Sequence, residues 1–286
     1  MQKVLILVVV LLVFSNLKAQ SFISPPSAIR HESLVVDSGY FRVLYAMNAV
    51  DINDTKTYDD LQRLEIGLNS SKYYSYFVFS NDSLAKVEAK KNSFSGGAPT
   101  MAGGKWGKNG YKWSLLIWSF FYKDFSKHSL SEQALMPWGV SSYDYTEEMP
   151  VQDWILEDDT LKVCGYLCQK ATCHFRGREF VAWFTTEIPI SNGPWKFGGL
   201  PGLILKVNDI DLLYTFEGIK VENLAKKFPI LMYDNKTFQR FERTKLRALE
   251  KEIYSNYFKV AGITNTDQNG TPRPFIPISY HPLELE

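Results

Sequence analysis

Between residues 164 and 174 the chain gathers its three cysteines and one of its four histidines: Cys164, Cys168, Cys173 and His174. Thiolate and imidazole are the ligand types that hold zinc or copper. Along one extended strand, however, Cys164 and Cys168 stand about 13 Å apart at ~3.3 Å per residue, too far for a disulfide or a shared ion. A bend at Gly165 would shorten that distance. Buried free thiols are therefore the default, with one disulfide or a metal site as alternatives. Three cysteines leave at least one unpaired, so disulfides are not the main support of the fold.

Other chemistry is sparse. Nucleophilic catalysis needs a nucleophile, a base and an orienting group in one site. There is no Gly-x-Ser-x-Gly elbow, and His31, His128, His174 and His281 show no metalloprotease spacing. A hydrolytic enzyme would need His174 or His281 beside an acid and a nucleophile. Gly103-Gly104-Lys105 hints at a phosphate loop, but Pro99 stands where the leading Gly belongs and Trp106 where Ser or Thr belongs. Asp158 and Asp159 are adjacent, so on a strand they point to opposite faces, which suits a turn better than an acid/base pair. No catalytic residue, metal ligand or cofactor site is assigned.

Aromatic residues make up 15% of the chain and alternate in strand-like patterns. Trp106, Trp113, Trp118, Trp138, Trp154, Trp183 and Trp195 fit a core, or the wall of an apolar hollow. Trp183, Trp195, Phe197 and Leu200 are the candidate ligand-binding residues, as a lip over such a hollow. Beside them Gly199, Leu200, Pro201, Gly202, Leu203 and Ile204 read as a structural motif. Leu200 to Leu203 fits a type II turn, with Pro201 fixing φ and Gly202 supplying the positive φ of the third position. Leu203, Ile204, Leu205 and Val207 then open a strand buried on both faces.

The elements that position these residues are mostly strands. Tyr40 to Val50 alternates as a first strand, and "LQRLEIG" and "SKYYSYFVFS" read as a hairpin. Residues 92–110 form a Gly-rich loop, followed by the strand-like "YKWSLLIWSFFYKDF". Beyond Pro150 strands are expected at 151–157, 160–164, 166–175 and 178–186, with turns at Asp158-Asp159, Gly165 and Arg176-Gly177. Phe238, Phe241, Leu246, Leu249, Ile253 and Tyr257 recur at helical spacing, an amphipathic helix over 236–258. The fold class is mainly β: a single antiparallel, strongly curved sheet or half-barrel with a C-terminal helix packed on it.

Residues 1–19 carry Lys3, an apolar run from Val4 to Phe14 and Ala19, the form of a secretory signal peptide. The run is well short of the ~20 residues that span a bilayer, and no later run replaces it, so no transmembrane span is expected after cleavage. Cleavage leaves 30 basic against 31 acidic residues, a formal charge of −1. A near-neutral surface argues against a nucleic-acid partner. Residues 20–286 are expected to form one β-rich domain, exported to the periplasm or the exterior.

The stretch "GYLCQKATCHFRGREFVAWFTTEIPISNGPWKFGGLPGLILKV", with "LEIG…SKYYS" upstream and the terminal "YHPLELE", resembles the GLPGLI family of exported bacterial proteins. Cys164 and Cys173 are additional to the Cys of the family's "GY-x-C-Q-K-A" element, here Cys168. The resemblance implies export and a shared fold, and no biochemical activity. The expected role is a non-enzymatic cell-envelope module that binds an apolar small molecule or an envelope protein. Alternatives are a structural or assembly partner, marked by an exposed apolar patch, and a hydrolytic enzyme.

Overall fold

The computed structural model describes Ile23, residues 32–76, Phe79 and residues 118–286. The expected signal peptide and the Gly-rich stretch 92–110 lie outside these residues.

In chain order, β1 (Ser33–Met47), β2 (Asp60–Gly67), β3 (Ser70–Ser75), β4 (Ser119–Asp124), β5 (Ser129–Ala134) and β6 (Tyr143–Glu148) form one antiparallel series. A second series is β7 (Ile155–Val163), β8 (Tyr166–Phe175), β9 (Arg178–Thr185), β10 (Leu203–Asp209) and β11 (Thr215–Tyr233). Antiparallel pairing of β1 with β11 joins them, and the short β12 (Gln239–Arg240) adds in parallel to β6. The result is one 12-stranded sheet in the order β12-β6-β5-β4-β3-β2-β1-β11-β10-β9-β8-β7. The mainly β class, the antiparallel pairing and the C-terminal helix stand as expected. The sheet is larger than the expected half-barrel, because the 15-residue β1 and the 19-residue β11 join both series into one, and it does not close, its end strands β12 and β7 remaining unpaired with each other.

Local chemistry explains most boundaries. The β7–β8 and β8–β9 hairpins turn through two residues each, Cys164-Gly165 and Arg176-Gly177, all at positive φ (51° and 89°, 51° and 77°). That is the backbone of the turn whose twist matches paired strands. Asp158 and Asp159 are not a turn. They sit in a bulge where β7 slips register between Leu156 and Thr160, so the two strands expected at 151–157 and 160–164 are one. The bulge and its acids, Glu157 to Asp159, blunt this sheet edge against strand addition.

The helix α1 (Arg243–Ala261) begins seven residues later than the apolar spacing suggests. Asn235–Thr237 form a single 3-10 turn capped by Asp234, and Gln239–Arg240 pair with β6 before the helix can start. Phe241 packs on Tyr143, with ring centroids 4.5 Å apart. Leu246, Ile253 and Tyr257 bury the inner stripe of α1 against Ala134, Met136 and Tyr145, and Gly262 ends it at φ 65°.

The main core gathers side chains from β1 to β5 and from β7 to β11 around the connection 186–202. That connection is a plug. Trp195, Phe197 and Leu200 are buried in it, with Phe197 4.8 Å from Phe180 and 5.2 Å from Trp195 between ring centroids. Leu203, Ile204, Leu205 and Val207 are fully buried, as expected of a strand covered on both faces. A register shift between Ile204 and Lys206 lets Leu205 turn inward beside them. The type II turn is not formed: Gly199, at φ 82°, takes the left-handed conformation, and Gly202 does not. Gly202 is needed for space, since a Cβ there would lie 2.1 Å from the carbonyl oxygen of Thr185.

Candidate functional site

The plug is fixed from below by a buried lysine. Lys123, on β4, donates to Asn192 Oδ1 at 2.8 Å and to the carbonyl of Phe197, both neutral acceptors. Burial pushes its ammonium down to about 7. Asn192 in turn donates to Ser71 Oγ at 2.9 Å, Trp154 Nε1 donates to the Gly198 carbonyl at 2.7 Å, and Gln152 Oε1 accepts from the Gly198 amide at 3.1 Å. Side chains thus satisfy the irregular backbone of 192–198, the condition for burying it.

The three thiols are free: Cys168 and Cys173 are buried and Cys164 is half-buried. Burial raises the Cys164 thiol, pushes that of Cys168 up to about 11 and that of Cys173 up to about 12, which suits inert core residues. Among the described residues no group of three or more His, Cys, Asp and Glu is placed to hold a metal ion. His174 Nδ1 lies 2.7 Å from Glu179 Oε1 on the surface, and His128 occupies a left-handed position in the β4–β5 turn.

Of the candidate ligand-binding residues, Trp195 reaches a cavity of about 100 Å³ between β4, α1 and the C-terminal tail, with Trp118, Phe121, Ile253 and Tyr254 among its other walls. Phe197 and Leu200 pack within the plug, and Trp183 is half-buried on β9. Next to Trp195 lies a charge network that the sequence reading missed. Lys196, fully buried, donates to Tyr145 Oη at 2.7 Å and to Glu284 Oε1. Tyr145 donates to Glu132 Oε2 at 2.6 Å, and Glu132 Oε1 accepts from Arg247 and Ser119 at 2.6 Å each. Arg243 reaches Glu284 Oε2 at 2.7 Å. Burial works to raise the Glu284 carboxyl, but Lys196 and Arg247 beside it and the bonds from Lys196 and Arg243 hold it at about 2. The signals were a lysine set between Trp195 and Phe197 and an acidic terminus following Pro282.

A different surface stands at one end of the sheet. The turn after β10 and the loop after β1 come together there, exposing Val50, Ile210, Leu212 and Leu213. Asn48 binds the two loops. It donates to the Leu213 carbonyl at 3.1 Å and to Asp59 at 3.0 Å, accepts from the Thr215 amide at 2.7 Å, and its own amide bonds the Thr215 carbonyl. Asp51 and Thr57 close their loop, and the buried Tyr58 donates to the Ile52 carbonyl. Leu212 sits at φ 55°, a conformation non-glycine residues seldom adopt. The leucine is held outward by a fixed backbone. Exposed Asp51, Asp54 and Lys56 lie in the same loop as Val50, and exposed Asp211 lies in the turn between Ile210 and Leu212.

Comparisons with known proteins give a short family-model match and weak structural alignments. A family model described as a protein of unknown function (Porph_ging), the GLPGLI-type family, matches residues 176–206, from the β8–β9 turn through the hexapeptide. None of the curated proteins matches the chain. Structures of PNGF-II in P21 and C2 space groups align with TM-scores of 0.47 at 11% identity, covering 73% and 74% of this chain and 32% of theirs. The chain therefore spans about a third of the length of those proteins, a likeness that bears on neither activity nor substrate.

Proposed function

We propose that this protein is an exported, non-enzymatic envelope module that docks a protein partner on the apolar tip formed by Val50, Ile210, Leu212 and Leu213. The single observation that carries this reading is that the tip is exposed while its two loops are hydrogen-bonded to each other. Monomeric surfaces scatter apolar side chains singly, whereas here they cluster on loops bound together through Asn48. A pre-ordered surface binds without the cost of ordering itself. The acidic rim of Asp51, Asp54 and Asp211 selects an apolar partner surface bordered by Lys or Arg and disfavours anionic lipid headgroups.

An apolar small molecule is the weaker reading. The core beside the sheet that such a ligand would enter is filled by Trp195, Phe197 and Leu200, and the cavity of about 100 Å³ is smaller than a lipid. Export rests on the sequence of residues 1–19 and on the family resemblance.

The test is copurification from the native envelope of tagged wild-type chain and of the Ile210→Ser/Leu212→Ser double variant. A stoichiometric partner retained by the wild type and lost from an equally stable variant is expected. Equal recovery with both would remove the tip from the interaction.

A further inference from the structure

The C-terminal tail is bound to the body of the protein in the manner of a peptide in a receptor. Residues 278–286 form no strand or helix. They are held instead by groups aimed at their backbone and by two side-chain pockets. The Ile278 amide donates to the Tyr254 carbonyl and the Leu285 amide to the Arg176 carbonyl, each at 2.9 Å. Tyr214 Oη donates to the His281 carbonyl, and the guanidinium of Arg178 forks onto the Pro282 carbonyl at 3.1 Å and 2.6 Å. Leu283 packs against the main core, and the Glu284 side chain is buried between Lys196 and Arg243.

The cations around Glu284 come from separated parts of the chain: Arg176 from a hairpin turn, Lys196 from the plug, Arg243 and Arg247 from α1. Their acidic partners are Glu132, Glu147, Glu250 and Glu284 itself. Without Glu284 the cluster carries one excess positive charge, centred on a lysine with no exposed surface. Residues 279–283 also roof the cavity lined by Tyr254 and Trp118. A segment held by isolated contacts rather than by a strand ladder is among the first parts of a fold to open.

We propose that Lys196 and Arg243 form a carboxylate-binding pocket, which the tail fills in cis through Glu284. The tail lifts as a unit, and the pocket then accepts an extended acidic peptide with a Pro-Leu-Glu core from outside. This pocket involves no tip residue, and its test reads no envelope partner, so it stands or falls apart from the docking surface.

Hydrogen exchange on the full wild-type chain tests the opening. The Ile278 and Leu285 amides are expected to exchange at least about tenfold faster than the Ile204 amide, which sits in the core. Exchange of all three at one rate would show that the tail leaves only when the protein unfolds, and would overturn the proposal. The full chain carrying Glu284→Ala tests the pocket, with a fluorescent synthetic peptide of residues 278–286 as probe. A tethered tail competes at about millimolar effective concentration, so weakening it opens the site to the free peptide. Saturable binding, at least about tenfold weaker for the same peptide with Glu284→Ala, is expected. Equal affinity for both peptides, or no saturable binding to a folded variant, contradicts the pocket. If the variant does not fold, wild-type exchange decides.

Discussion

Lys123 shows how one buried side chain ties stability to pH. Its ammonium falls to about 7 in the fold through burial, against about 10.4 in an unfolded chain. Between those values the unfolded state holds a proton that the folded state has lost, so folding gains stability as pH rises from 7 toward 10, by at most about 1.4 kcal/mol per pH unit. Below 7 the dependence vanishes. Lys123→Met should abolish the slope, which thermal melts of both proteins from pH 6 to 10 will reveal as a diverging difference in Tm. Gly202 depends on space instead: Gly202→Ala drives a methyl group into the Thr185 carbonyl and should cost about 2–3 kcal/mol, read from urea denaturation. The thiols offer a simpler check. In the native protein a thiol reagent should modify the half-buried Cys164 first, with Cys168 and Cys173 reacting only on unfolding; early labelling of Cys173 would contradict the packing.

At the scale of elements, those with local signals were legible. Gly165 and Gly177 marked turns because their hairpins demand positive φ, and β8 was bounded correctly at 166–175 by those same turns. Asp158-Asp159 misled because a bulge and a turn draw on the same residues. β11 was not visible: "VENLAKKFPILMY" mixes Lys226, Lys227 and Pro229 into a strand that is mostly half-buried or exposed, so no clean alternation survives. Phe238 and Phe241 mimicked helical spacing, yet pairing between chain segments about 96 residues apart took that stretch into the sheet. The helix itself is held by its inner stripe. Leu246, with no exposed surface, should cost about 2–5 kcal/mol when cut to Ala, and chemical denaturation should show it, whereas Lys245→Ala on the outer face should change little.

Across the whole molecule, the sheet and plug hold apolar residues inside, and the tip brings a cluster of them out. Ile210, Leu212 and Leu213 could have been noticed as apolar residues in a turn where polar ones are usual, but only the fold shows that the loop of Val50 is bound to that turn through Asn48. The charge network was still less legible, because its members are scattered from Ser119 to Glu284. Asp209 links these regions: it accepts from Arg178 at 3.1 Å and from the Tyr214 amide at 2.8 Å, the residues that also grip the tail. Since the tip side chains are exposed, Ile210→Ser/Leu212→Ser should leave Tm within about 2 °C of wild type, roughly the shift a surface change of 0.5 kcal/mol produces. A photo-crosslinking amino acid at Leu212, in protein expressed in its native cells, tests the docking surface most directly. One discrete adduct at Leu212, absent with the same label at the exposed Lys226 and lost on adding Ile210→Glu, is the expected result; no adduct at Leu212, or the same adducts at both positions, would contradict a partner at the tip.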